Sequence, residues 1–442
     1  MQDKKTLKEL SLHITEGLKN RRKSMLKGRP YFKTGVKLID LTLGGEKGVY
    51  GDPAGKIIRV CGDKSTGKTF ICNEFIANAH WIYGDKFRWM YADAEHGYSF
   101  DTEPLYGFDI HPEGSDEPNN VEEAYYCIRK FAESLKDDEF GIYVLDSLDA
   151  LTSNEQDERA DERMKAIEAG KEMKGTYGMG KAKYLSQEFF PQLCSLIENK
   201  KILLIIVSQI RDNTDMFSFE KYSVTGGKAI DFYCYMVFWL NTAKKYTYKE
   251  GETEVILGGT NVLKVTKGKV PRPYRKCMYT YYFSRGIDNI ETGVDYLFDI
   301  RTKTGDISAP AANSCAWESD PNKKPISSAF VSQWLKDNKW YEGKEGTYRT
   351  TLSPGERYSL KTALAYIKSD PEKQKLFDET FCLTMDRDTL IHYIYDNDLE
   401  DELDRRVEEK WEAFEDRAAA QVMTRGPKYA KYYGNQPVSN ES

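Results

Sequence analysis

Gly62-Asp63-Lys64-Ser65-Thr66-Gly67-Lys68-Thr69 reads G-x-x-x-x-G-K-T, and its flanks decide the fold. Upstream, Lys56-Ile57-Ile58-Arg59-Val60-Cys61 predicts a buried strand. Downstream, Phe70-Ile71-Cys72-Asn73-Glu74-Phe75-Ile76 opens a helix. Strand, glycine-rich loop and helix in that order are the setting of a phosphate-binding loop. Gly62 and Gly67 let the backbone curl, so that N–H groups over Gly62–Phe70 point inward at phosphate oxygens. A helix beginning near Lys68 adds a partial positive charge. In such a loop Lys68 would reach the β and γ phosphates of ATP, and the Thr69 hydroxyl would ligate Mg²⁺.

The surrounding chain sets bounds on this reading. Its 442 residues suffice for two or three domains, and a 40% hydrophobic content supports a core. Apolar runs such as Tyr233–Leu240 fall far short of the roughly 20 residues a membrane span needs. Met1-Gln2-Asp3-Lys4-Lys5 leads into no apolar signal segment. Eight cysteines occur without a C-x-x-C pair, which predicts reduced thiols rather than a zinc site or a disulfide frame. The net charge of −6 rules out a uniformly basic nucleic-acid binder, so any DNA site is local.

Leu7, Leu10, Ile14 and Leu18 have helical spacing, which predicts an N-terminal helical arm within residues 1–32 that docks on a neighbouring copy or on its own domain. Lys33–Gly45 predicts a short helix ending in glycines. From there to Gly305, strands at Phe87–Ala92, Phe140–Asp146 and Lys201–Ser208 alternate with helices at Val121–Leu135 and Lys183–Glu198. Tyr233–Leu240, Asn261–Lys267 and Cys277–Phe283 follow as β-rich runs. The order predicts an α/β core over 33–305: a mostly parallel, twisted sheet with an antiparallel edge. Ser308–Pro325 reads as linker. Residues 306–425 read as mainly helical, with helices at Ser327–Lys336, Ser359–Lys368 and Arg387–Trp411, and 426–442 as a disordered tail. Asp396–Arg417 carries eleven acidic and four basic residues, the composition of a solvated helix face.

Three further strand ends carry chemistry. Gly141-Ile142-Tyr143-Val144-Leu145-Asp146-Ser147 delivers Asp146 where open α/β sheets bind ligands, suited to the Mg²⁺ shell. Met90-Tyr91-Ala92-Asp93-Ala94-Glu95-His96 places Glu95 at the same crevice, where a carboxylate can polarise an attacking water. Ile205-Ile206-Val207-Ser208-Gln209 ends in a neutral amide able to sense a γ-phosphate. Arg211–Thr225 beyond it has no apolar period, as expected of a loop.

These four elements, with Gly226-Gly227-Lys228-Ala229-Ile230-Asp231-Phe232-Tyr233, resemble the RecA family of recombinases. Asp93-Ala94-Glu95-His96 and Ser208-Gln209-Ile210-Arg211 match that family's motifs nearly letter for letter. Thr34-Gly35 with Leu38-Ile39-Asp40 resembles its segment ahead of the phosphate loop. The likeness runs from Thr34 to Asp299. The long segment from Asp146 to Gly180 is most similar to the phage, T4-type branch.

The resemblance implies a DNA-dependent ATPase that forms a filament on single-stranded DNA, pairs it with homologous duplex and exchanges strands. It implies ATP and Mg²⁺ as cofactors and leaves room for accessory mediator proteins. It implies a cytoplasmic place, that of a bacterial host if the chain is phage-encoded. Lys267 and Lys269 stand where the family's lysines reach a neighbour's ATP. The family's two DNA loops fall near Ser153–Gly180 and Arg211–Lys228, neither of them a basic patch. Gly180, Lys181, Lys183, Arg211, Met216, Phe217, Gly226, Gly227 and Lys228 are the DNA-binding candidates. The family's adenine-stacking tyrosine falls on Thr102, with Phe100 and Tyr106 as nearby substitutes. Two alternatives stay open: a RecA-like hexameric helicase motor, and a regulatory module that binds ATP without hydrolysing it.

Overall fold

The structure is a computed structural model, and it describes residues 29–45, 48–168, 180–212, 222–224, 227–312, 315–317, 324–325, 328–338, 367–382 and 384–421. The expected N-terminal helix, the tail over 426–442 and most of the helix expected at Ser359–Lys368 lie outside these residues.

The chain begins with β1 (Tyr31–Phe32), helix α1 (Lys37–Gly44) and β2 (Asp52–Pro53), which pairs with β1. Gly45 ends α1 in the left-handed region, and a Cβ there would lie 2.4 Å from the Val270 side chain, so glycine is required twice over. β3 (Lys56–Gly62), α2 (Lys68–Tyr83) and β4 (Phe87–Asp93) follow. Next come α3 (Val121–Ser134), β5 (Phe140–Asp146) and α4 (Asn154–Glu168). α5 (Gly180–Tyr184) passes through a π-helical turn, Leu185–Phe189, into α6 (Phe190–Asn199). β6 (Ile202–Asp212), β7 (Tyr222–Val224) and α7 (Gly227–Tyr233) lead to β8 (Met236–Glu250), β9 (Thr253–Gly268), β10 (Lys276–Tyr282) and β11 (Gly286–Asp288).

β3 to β6 and β8 to β11 lie side by side in the order β11-β10-β9-β8-β3-β6-β5-β4, with β7 paired to β6. From β8 to β4 all neighbours are parallel, and beyond β8 they are antiparallel. The predicted α/β architecture is therefore present. β6 reads as an unbroken apolar run because both sheet faces are covered. Leu203, Ile205 and Val207 enter the cluster beneath α1 and α2, whereas Ile202, Leu204 and Ile206 enter the one beneath α3 and α6.

Three local expectations are corrected. Tyr233 ends helix α7 instead of starting a strand. The runs at Tyr233–Leu240 and Asn261–Lys267 are inner parts of one long hairpin, paired from Met236↔Gly268 to Glu250↔Thr253. Its outer half is exposed, so no buried face imposes an alternating pattern on Asn241–Leu257. Arg387–Trp411 is two helices, α9 (Arg387–Asp396) and α10 (Glu400–Ala420), separated by a turn with Asp398 at φ 52°.

α9 and α10 pack on the core after α8 (Asn289–Leu297). Leu403, Val407 and Trp411 of α10 are buried in the cluster shared with α1 and β10, each worth roughly 1.5–3 kcal/mol. Its acidic face is partly paired: Glu408 meets Lys37 at 2.6 Å, and Glu415 meets Arg275 at 2.9 Å. Arg387 is buried, with bonds to Asp295 at 2.6 Å and Glu291 at 2.7 Å. Among the described residues no helix is long and apolar enough to cross a membrane.

Candidate active site

β3 ends at the phosphate loop. Gly67 adopts φ 81°, and a Cβ on Gly62 would lie 2.3 Å from Thr66 Oγ1, so both loop glycines answer a steric demand. The loop is braced from β9, where Asn261 Nδ2 donates to Thr66 O at 2.9 Å. Lys68 Nζ folds back on the loop, donating to Asp63 O at 2.8 Å and Gly62 O at 3.2 Å. Burial lowers the Lys68 pKa, against the carboxylates of Asp146 and Glu95. A half-buried ammonium held only by carbonyls in a curled loop is suited to an incoming phosphate.

Asp146 ends β5, and its Oδ2 accepts from Thr69 Oγ1 at 3.2 Å and from the Tyr91 hydroxyl. Burial raises its pKa to about 6, with the Glu95 charge adding to the rise. A hydroxyl and a carboxylate in contact, the latter short of positive charge, suit a Mg²⁺ ion held with waters and phosphate oxygens. Among the described residues no group of three or more His, Cys, Asp or Glu side chains could hold a metal ion by itself.

Glu95 follows β4 in a turn fixed by buried Asp93, whose carboxylate accepts Glu95 N at 3.1 Å and Tyr98 N at 2.7 Å. Glu95 Oε1 accepts from Ser147 Oγ at 2.5 Å and from Gln209 Nε2 at 3.0 Å. The structure thus brings Lys68, Thr69, Asp146, Glu95 and Gln209 to one edge, the C-terminal ends of β3, β4, β5 and β6. Gln209 touches Glu95 directly, a contact that spacing in the sequence does not disclose.

Other predicted residues sit further out. Lys267 Nζ donates to the carbonyls of Asp231, Phe232 and Cys234, capping the end of α7, while Lys269 is exposed. Thr102 is buried, and its hydroxyl accepts Ile110 N at 3.0 Å. Phe100 packs edge-on against Phe70 at 5.2 Å and keeps an exposed flank, and Phe283 also neighbours Phe70, at 6.1 Å. Tyr106 instead turns its hydroxyl to Glu74 at 3.1 Å. Lys181 Nζ donates to Leu148 O at 2.8 Å and to Leu151 O, whereas Lys183 is exposed. Gly180 opens α5, Arg211 lies in β6 opposite Ser223, and Gly227 and Lys228 open α7. Met216, Phe217 and Gly226 lie outside the described residues.

Sequence reasoning missed several supports. Ser147 and Asp149 lie in the turn after β5, Asn261 in β9, and Arg59 inside β3. Arg59 is buried and donates to Ser208 Oγ at 3.0 Å and Asp231 Oδ1 at 2.9 Å, tying the strand before the phosphate loop to α7. A charged residue within the apolar run Ile57–Cys61 is the signal that could have marked it.

The sequence profile of the RecA N-terminal domain matches residues 24–288. Protein RecA of Mycoplasma mobile is 27% identical over 276 residues, covering 62% of this chain and 74% of that protein. Protein RecA of Phytoplasma mali is 28% identical over 268 residues, 60% of this chain and 71% of the relative. Protein RecA of Porphyromonas gingivalis is 29% identical over 271 residues, again 60% and 71%. The matched span includes the phosphate loop, the three further strand ends and the hairpin that carries Lys267, and this chain belongs to the RecA family.

Proposed function

We propose that the protein is an ATP- and DNA-dependent recombinase that forms filaments on single-stranded DNA, pairs it with homologous duplex and exchanges strands. The observation that carries the reading is the contact of Gln209 with Glu95, beside Lys68 and the Thr69–Asp146 pair. The loop N–H groups over Gly62–Phe70 and Lys68 bind the β and γ phosphates of ATP. Thr69 and Asp146 would hold Mg²⁺, which would supply positive charge to offset that developing on the phosphates. Glu95 orients and polarises the attacking water. Gln209 leaves Glu95 to donate to the γ-phosphate, and the segment after it carries that change to the DNA loops. Phe100, beside Phe70, offers its exposed flank to the adenine.

In the filament, Lys267 and Lys269 act on the neighbour's ATP, and residues 1–32 form the arm that joins subunits. Residues 33–305 are the ATPase and DNA-binding core, 306–425 a C-terminal domain and 426–442 a tail. DNA lies against Gly180–Lys183 and Arg211–Lys228. On the length of its Asp146–Gly180 segment we read the chain as nearest the phage, T4-type branch, working in the cytoplasm of a bacterial host, where accessory mediators can load it.

The test is electron microscopy of the protein with single-stranded DNA and a non-hydrolysable ATP analogue, beside a steady-state ATPase assay. Helical filaments and DNA-stimulated hydrolysis are expected. Closed rings would support a hexameric motor instead, and ATP binding without turnover would support a regulatory module.

A further inference from the structure

The turn after β5 does more than deliver Asp146. Beyond Asp146 the chain leaves the sheet, yet its bonding to β6 continues: Leu148 N donates to Val207 O at 3.2 Å. At the next step along β6 the acceptor is a side chain, as Gln209 N donates to Asp149 Oδ2 at 2.8 Å. The Asp149 carboxylate stands where a strand carbonyl would stand in a continued ladder.

This arrangement has a cost that stability alone does not explain. The second oxygen, Asp149 Oδ1, is buried and has no hydrogen-bond partner among the described residues. Leaving a buried acceptor unmatched is unfavourable, and more so when it is charged. The position is otherwise tightly held. Lys181 Nζ binds Leu148 O and Leu151 O on either side of Asp149, and Ser147 Oγ binds Glu95. The Asp149 charge also favours the Lys68 ammonium, so the carboxylate lies within electrostatic reach of the phosphate loop.

Gln209 needs an anchor where it stands. It is the last residue of β6 in register with β3, opposite Gly62. From Ile210 onward β6 pairs, among the described residues, with β7. A glutamine side chain has three rotatable bonds, and aiming its amide depends on a fixed backbone.

We propose that Asp149 is a positioning residue for nucleotide sensing: it anchors the Gln209 backbone so that the Gln209 amide is presented to Glu95 and to a γ-phosphate. The inference rests on the ATPase reading above. Asp149 is not a catalytic residue, because it touches Gln209 and not the reacting atoms. Removing its acceptor leaves the phosphate loop, Thr69 and Asp146 intact while the sensor loses its fixed origin.

The experiment compares wild type with Asp149→Ala, Asp149→Asn, Gln209→Ala and the Asp149→Ala/Gln209→Ala pair. It measures DNA-stimulated ATP hydrolysis, KM for ATP and affinity for a fluorescent ADP. Asp149→Ala should lower kcat roughly 10-fold, the worth of one charge-assisted hydrogen bond, and leave KM and ADP affinity within about twofold. Asp149→Asn keeps an acceptor oxygen for the same N–H and should restore most of the rate. The double variant should be no slower than Gln209→Ala, since both act through one amide.

A wild-type kcat in Asp149→Ala, or losses that multiply in the double variant, would overturn the inference. Should Asp149→Ala fail to fold, Asp149→Leu fills the space without an acceptor: a slow Leu variant beside a fast Asn variant supports the inference, and equal rates overturn it. If wild type hydrolyses no ATP, the ATPase reading falls and takes the inference with it. If Gln209→Ala is slow and Asp149→Ala is not, the inference alone falls.

Discussion

Asp52→Asn should flatten the dependence of stability on pH. Asp52 is fully buried in β2, and neither carboxylate oxygen has a hydrogen-bond partner among the described residues. Its neighbour Asp40 in α1 is also buried, but accepts from Thr34 N at 2.7 Å and Thr34 Oγ1 at 2.8 Å. Burial, reinforced by the Asp40 charge, pushes the Asp52 pKa from 3.8 up to about 8. Burial raises Asp40 to about 6, against its bonds to Thr34 and the charge of Lys33, and the Asp40 charge bears in turn on Glu74 and Cys277. A carboxyl whose folded pKa is raised stabilises the fold at low pH, and that stability is lost as pH climbs from about 4 towards 8. Across that window the unfolded chain has released a proton that the folded chain still holds. Each pH unit costs about 1.4 kcal/mol, so Asp52 alone removes about 4 kcal/mol between pH 4 and pH 7. That is a large share of the 5–15 kcal/mol that about covers a folded domain. Asparagine keeps the shape and carries no charge at any pH. Urea unfolding at pH 5 and pH 7.5 checks the reasoning: the wild-type midpoint should rise on acidification far more than the variant's, and the variant should be the more stable at pH 7.5. Parallel pH profiles for the two proteins would refute it.

Three other outcomes follow from the geometry. Glu95→Gln should cut ATP hydrolysis by roughly 10²–10⁴-fold while nucleotide binding persists, because the amide keeps the shape but cannot polarise water; turnover within a few-fold of wild type, measured at saturating ATP and DNA, would remove Glu95 from that role. Lys267→Ala with Lys269→Ala should lose DNA-stimulated hydrolysis yet regain part of it when mixed with Lys68→Ala, since some subunit interfaces then combine an intact phosphate loop with intact lysines. A mixture no more active than its separate components, once light scattering has confirmed co-assembly, argues against shared sites. Arg387→Ala should destabilise by about 3–5 kcal/mol, because Glu291 and Asp295 keep their buried charges without it; a change in unfolding free energy under about 1 kcal/mol would show that Arg301 alone suffices for Asp295.

The core was legible where both faces of the sheet are buried. Ile57–Val60 and Ile202–Val207 are apolar on alternate faces because helices cover each side, and their apolar runs announce themselves without help from distant residues. The groups at their C-terminal ends were legible for the same reason: a polar residue that ends such a run stands at the crevice, whereas Arg59, inside one, is buried. Residues whose roles depend on contact across the chain stayed hidden. Ser147 and Asp149 are ordinary turn residues until the fold brings Glu95 and Gln209 to them. The outer hairpin, with Val255, Ile256 and Leu257 exposed, has no inside to impose a period on its sequence. The acidic stretch Asp396–Arg417 read as a solvated face, yet Leu403, Val407 and Trp411 within it face the core. Eleven acids in the stretch obscured the sparse apolar spacing that locks α10 in place.

The order of strands shows how one amide, in the proposed mechanism, would serve both a nucleotide and a distant loop. In a parallel sheet every strand delivers its C-terminus to the same edge, and neighbours lie about 4.8 Å apart. β6 lies between β3, which delivers the phosphate loop, and β5, which delivers Asp146. Its last sheet residue is therefore flanked by the two elements proposed to hold the phosphates and the metal. Glu95, from β4, is one strand further out, and the turn after β5 spans the gap, with Ser147 on Glu95 and Asp149 on Gln209. The chain that continues past Gln209 can only leave the sheet, because β3 has turned into the phosphate loop and β5 into that turn. In the proposed mechanism a shift in the Gln209 side chain is thus made at the root of the segment that leaves the sheet. α7, at the end of that segment, is tied back to β3 through Asp231 and Arg59. Gln209 and α7, which bracket that segment, are both bonded to elements around the phosphate loop, as the proposed coupling of nucleotide to DNA requires.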